Sequence, residues 1–222
     1  MLLLPPCSIA GIFSICRGYP CGRPPGRRKA VPLRIEKIPW LPLVKPRLIV
    51  ESRNLVERED IVFYLEELDN VLRSMDVVGE VCLYGGAVMC LVYQARPSTK
   101  DVDAIFHPTS EFRQAVALVA KSHDLRPDWL NDVVKGFVVE HRQRIFLDLV
   151  NLKVYVPEPD YLLAMKTLAA RVEGTDKEDV KFLIALLGIT QAEDVFAILE
   201  KYYPRRQIKP ATQFFVEELF EI

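Results

Sequence analysis

Cysteine is scarce and unpaired in its spacing. The five in 222 residues are Cys7, Cys16, Cys21, Cys82 and Cys90. No CxxC and no His/Cys pairing occurs among them, so neither a disulfide framework nor a structural zinc site is expected. No apolar run approaches the ~18 residues of a transmembrane helix. Residues 1–16 are apolar but lack the basic start and small-residue cleavage site of a secretory signal. The sequence is therefore expected to be cytoplasmic, with no membrane partner. The GxxxxGK[ST] phosphate loop and the GxGxxG dinucleotide fingerprint are both missing. The formal net charge is only -1.

That small charge hides an asymmetry. Residues 1–50 hold nine Lys/Arg against the single acid Glu36, together with nine of the 16 prolines and four of the 10 glycines. Within it the Arg-, Gly- and Pro-rich stretch Gly18 to Lys29 cannot bury a core. The whole segment is read as an extended or disordered arm, or as the product of a start codon placed too far upstream, ahead of a basic RNA-binding arm or a targeting segment. The stretch Ile38 to Leu43 has the apolar character to pack as a strip on the domain. Residues 51–222 are acidic in balance, which argues against tight nonspecific nucleic-acid binding by charge alone. Half of all residues are hydrophobic, enough for one domain with a small appendage.

The chemistry gathers between Gly85 and Asp103. The apolar run Val81 to Tyr84 reads as a strand that ends in Gly85-Gly86, and Ala87 to Tyr93 reads as a short helix. Glycines at a strand-to-helix junction let backbone approach a ligand, because no Cβ intervenes, and the following helix N-terminus favours phosphate. Arg96 to Lys100 then leads into Asp101-Val102-Asp103. On a strand the two aspartates share one face. Their repulsion would be relieved by a hard divalent cation, Mg²⁺ or Mn²⁺, of the kind that also binds substrate phosphates. Lys100 either touches a triphosphate or is solvated. Arg96 binds phosphate or pairs with a nearby acid, and Thr99 reads as a turn residue.

This order of strand, Gly85-Gly86, helix, basic loop and Asp101-Val102-Asp103 resembles the nucleotidyltransferase superfamily that includes DNA polymerase beta and kanamycin nucleotidyltransferase. It is most similar to the minimal, mostly prokaryotic members related to abortive-infection toxins of toxin–antitoxin pairs. The resemblance covers about residues 56 to 220. It implies an α/β (α+β) nucleotidyltransferase fold: a mixed β-sheet flanked by helices, with a core over residues 51–158 and a helical part over 159–222. It also implies transfer of a nucleoside monophosphate from an NTP to RNA, protein or a small molecule, and a cognate antitoxin as partner. The alternative is a non-catalytic nucleotide-binding or protein-interaction module on the same fold.

Within that resemblance Gly85 and Gly86 hold the triphosphate, and Asp101 and Asp103 bind metal. Asp148 interrupts the apolar strand Arg144 to Val150. It is either the third carboxylate that the superfamily commonly uses or an edge-strand acid facing water. Lys166 lies in the apolar helix Asp160 to Val172, where it either snorkels or points into a polar cleft; the resemblance has it meet the nucleotide phosphates. Arg171 closes the same stretch. Asp179, or Asp176, would orient Lys166 or Arg171, the other reading being favourable charge at a helix N-terminus. Gly136 to Val139 is expected to be a further strand. Asn131 or Asp132 either caps a turn or lines the cleft.

Overall fold

The computed structural model of the chain describes residues 55–170, 176–203 and 208–221. Helix α1 (Arg58–Ser74) carries Ile61, Leu65, Leu68 and Leu72 at spacings of four, three and four, and all four are fully buried. That stripe packs on a mixed sheet, and each such side chain contributes about 1.5–3 kcal/mol relative to exposure. The sheet comprises β2 (Gly79–Leu83), β4 (Val102–His107), β5 (Leu130–Asn131), β6 (Gln143–Asp148) and β7 (Leu152–Pro157), in the order β5-β4-β2-β7-β6. The β2–β4 and β6–β7 pairs are antiparallel, and β2–β7 and β4–β5 are parallel.

Alternation along β4 decides which face does what. Val102, Ala104 and Phe106 are buried, and Phe106 stacks on Phe112 of α3 (Thr109–Ser122) at 4.6 Å between ring centroids. Asp103 and Ile105 therefore face the other way. Helix α2 (Gly85–Leu91) follows β2 directly, so both glycines belong to its first turn rather than preceding it. A two-residue ladder joins β1 (Val56–Glu57) to β3 (Ser98–Thr99), immediately before the aspartates. Such a short ladder and the two-residue β5 lack the length that makes a strand visible in sequence. The strand expected over Gly136 to Val139 is not formed: Val133–Gly136 is a single 3-10 turn. Residues 1–50 and Arg171 lie outside the described residues.

Four helices come after the sheet: α4 (Pro159–Ala169), α5 (Asp176–Leu187), α6 (Ala192–Tyr202) and α7 (Pro210–Glu218). No single helix among the described residues is long and apolar enough to cross a membrane. An aromatic group fastens α4 and the end of α6 to the sheet. The Tyr161 ring stacks on His141 at 3.8 Å, and the Tyr203 hydroxyl lies 3.2 Å from the Tyr161 hydroxyl. His141 Nδ1 is 2.7 Å from the Val139 carbonyl, so that nitrogen carries the proton and donates. Nε2 then accepts from the Tyr84 hydroxyl at 3.3 Å. Burial holds the His141 pKa below its ordinary value, against the opposing pull of the Val139 carbonyl and Asp160.

Two predictions test this framework. His141 binds its proton less readily folded than unfolded, so its contribution is complete above about pH 6.5 and is lost as pH falls from there toward the lower folded pKa. Denaturation midpoints followed from pH 8 to pH 5 should fall less steeply for His141→Gln than for the native chain. The second concerns Asp69, which is buried on α1. Its Oδ1 accepts from the Asn151 N–H at 2.6 Å and its Oδ2 from Arg73 at 2.9 Å, tying the β6–β7 turn to the helix. Asp69→Ala should cost about 2 kcal/mol in chemical denaturation, the scale for a charge-assisted bond that leaves a buried donor unmatched.

Candidate functional site

A cleft of about 870 Å³ opens beside the β2–α2 turn. It brings together Gly85, Gly86, Lys100, Asp101, Asp103 and Lys166 of the residues singled out in the sequence. Asp176 also lines it, while Val133, Phe137, Met165 and Leu168 form an apolar side. Such a volume, with a few convergent polar groups on a largely apolar lining, suits a small-molecule ligand.

The glycines serve the protein's own side chains. Gly85 has φ +58°, a left-handed conformation, and a Cβ there would lie 2.9 Å from Asp103 Oδ2. At Gly86 a Cβ would overlap the Arg96 guanidinium and approach Thr99 Oγ1 to 2.5 Å. The expected close approach of a phosphate at Gly86 is thus replaced by an arginine. The Arg96 Nε–H donates to the Gly86 carbonyl at 3.3 Å, and Nη2 donates to Thr99 Oγ1 at 3.3 Å. The Thr99 hydroxyl in turn donates to the Asp101 carbonyl at 3.1 Å. Thr99 is therefore a buried relay rather than a plain turn residue.

Asp101 sits one residue before β4, and Asp103 is its second residue. They are close enough to sense each other. The Asp103 pKa is raised, first by burial and then by the Asp101 charge, with Lys166, Asn131 and Arg96 working in the opposite direction. Asn131 lies beside Asp103 in the parallel β4–β5 register. Its Oδ1 accepts from the Val133 N–H at 3.1 Å, which leaves its amide N–H₂ to donate to Asp103.

Lys166 is 7% exposed and points into a polar setting rather than snorkelling. Its ammonium is 2.9 Å from Asp176 and 2.8 Å from Asp179. Asp179 is buried behind it and is also 3.5 Å from Arg96, whereas Asp176 is partly open to the cleft. Asp179 thus orients Lys166 and contributes no surface to the cleft.

Asp148 is not brought to this site. It is exposed at the end of edge strand β6, in register with Lys153, and that row continues through Glu80 to His107. Three strand spacings and four residues of β4 separate it from Asp103, roughly 20 Å in all. Asp148 stands there opposite Lys153 across the β6–β7 ladder. Among the described residues no group of three or more His, Cys, Asp or Glu side chains gathers as a metal site. Arg171 lies outside the described residues. Comparison of the chain with protein-family models, with curated proteins and with solved structures finds no match.

Sequence reasoning missed the Arg96 seat and the role of Thr99. No local pattern signals either, because both rest on a side-chain volume shared between residues ten apart. Because the folded pKa of Asp103 lies above its unfolded value, the native state binds more protons between the two, and stability falls as pH rises through that window. Asp103→Asn should therefore raise the denaturation midpoint at pH 7 and lose that advantage near pH 4. A lower midpoint at pH 7 would contradict the repulsion.

Proposed function

We propose that the cleft binds a nucleoside triphosphate and that the protein is a divalent-cation-dependent nucleotidyltransferase on a minimal nucleotidyltransferase fold. One observation carries the reading: Asp101 and Asp103 share a cleft with an inward-pointing lysine and a glycine turn. The pair fits a hard cation, since the Asp101 charge helps to raise the Asp103 pKa and a bound cation would relieve that repulsion. Asp101 and Asp103 would hold Mg²⁺ or Mn²⁺, which when bound neutralises phosphate charge and activates the acceptor hydroxyl.

The chain's own residues supply the rest. Lys166 faces the same cleft with Asp176 as its exchangeable partner, so an incoming phosphate oxygen takes the place of that carboxylate. Asp179, buried, keeps the ammonium aimed during the exchange. Lys100, exposed at the rim, meets the distal phosphates. The apolar side at Val133 and Phe137 accommodates the uncharged part of the nucleotide or acceptor.

A second reading, nucleotide binding without turnover, is favoured by the position of Asp148. The carboxylate expected as general base or second-metal ligand is remote, and an amide, Asn131, stands beside Asp103. The two readings part in one experiment. Each α-labelled NTP is incubated with Mg²⁺ or Mn²⁺ and with pooled RNA, protein or small molecules as acceptors. Transfer is expected from the native chain. It should fall by about 10²-fold or more in Lys166→Met and in Asp101→Ala/Asp103→Ala. Binding by calorimetry without transfer would establish the second reading, and absence of both would overturn the proposal.

A further inference from the structure

Arg96 joins the two sides of the cleft. One chain of polar contacts runs from the Asp101 carbonyl through the Thr99 hydroxyl to the Arg96 guanidinium, on to Asp179, and from there to Lys166. The first part belongs to the lead-in of β4, the last to α4 and α5. The fork geometry of a guanidinium suits this, because Nε–H and Nη2 donate to Gly86 and Thr99 while Nη1 stands 3.5 Å from Asp179 Oδ2 as an ion pair. Its seat is the volume that any side chain at residue 86 would fill.

We propose that Arg96 is a positioning residue. Seated at Gly86, it fixes the spacing between the Asp101/Asp103 pair and Lys166 by holding Thr99 with one part of its fork and Asp179 with another. The role in ligand binding rests on the nucleotide reading above; the coupling between the two walls does not. In this account Gly86 serves Arg96. Any substitution that fills the seat then acts as removal of the arginine does.

Hydrogen exchange of the full chain, read by mass spectrometry in peptides covering residues 96–103 and 176–183, tests the coupling without any nucleotide. Arg96→Met should speed exchange in both peptides by about tenfold, within the range of coupling for residues sharing one network. Gly86→Ala should do the same, and the double variant should go no further than either single one. Arg96→Lys, which keeps the charge but loses the fork, should restore protection in one peptide but not in both. Thr99→Val, nearly isosteric, is the safeguard if the other variants fold poorly; it should loosen residues 96–103 with a smaller effect on 176–183.

MgATP titration adds a functional arm, in which Arg96→Met and Gly86→Ala should weaken binding by the same factor, with no further loss in the double variant. Additive effects of Gly86→Ala and Arg96→Met would overturn the proposal. So would exchange that rises in residues 96–103 alone in Arg96→Met. If the native chain does not bind MgATP, the nucleotide reading fails while the exchange result still decides the coupling.

Discussion

At the β2–α2 turn the backbone comes closer to its neighbours than any residue with a Cβ would allow. Asp103 presses on Gly85, and the Arg96 guanidinium occupies the space beside Gly86. The rest of the site follows from that approach. With the guanidinium in its seat, Thr99 is held from one side and Asp179 from the other. Thr99 fixes the backbone entering β4, and Asp179 fixes the ammonium of Lys166. Strands and helices alone would leave these walls free to shift, since the helices after the sheet reach the cleft through side chains. A buried ionic chain is a poor source of net stability, because desolvation offsets much of the attraction. Its use here is specificity of position.

The site also concentrates charges that the fold would be more stable without. Asp103 is held half-buried next to Asp101, and the cost appears as its raised pKa. Lys166 and Asp179 are almost wholly withdrawn from water and survive only as partners. Elsewhere among the described residues the buried carboxylate Asp69 is matched by the Asn151 N–H and Arg73. Ion pairs such as Arg126–Asp128 and Lys181–Glu178 lie at the surface, where they contribute little. On the proposed reading, a buried charge cluster in a cleft is where composition answers to a ligand more than to folding.

The legible parts of the sequence were those governed by period and by punctuation. The apolar run of β2, the glycine turn after it and the position of Lys166 on an apolar helix all follow from local rules. The nearness of Gly85 to Asp101 and Asp103 follows from the order of strand, turn and helix, whereas the place of Lys166 beside them was implied only by the family resemblance. What depended on strand order was not legible. Asp148 lies on an apolar strand, as a third carboxylate would, yet β6 is the edge strand and β7 and β2 stand between it and β4. Nothing in a local pattern distinguishes a neighbour of β4 from a strand three places away. The strand beside β4, β5, is two residues long and carries Asn131, too short to announce itself. The Arg96 seat was hidden for a similar reason: it joins residues ten apart in sequence through a side-chain volume, which spacing does not report.

The neutral neighbour of Asp103 has its own consequence for the proposed chemistry. A carboxylate at the Asn131 position would repel the pair and drive Asp103 further toward its protonated form. The amide instead donates to Asp103 and supports the ionised form. The pair thus stays closer to readiness for a cation, but offers it only two negative side chains, with Lys166 and Arg96 nearby reducing their field. Mg²⁺ holds its waters tightly and is bound at such sites through one or two carboxylates together with substrate phosphates. On the proposed reading, then, neither cation nor nucleotide has a strong hold here alone. Each supplies what the other's site lacks, so their binding is coupled, and by linkage the coupling is reciprocal.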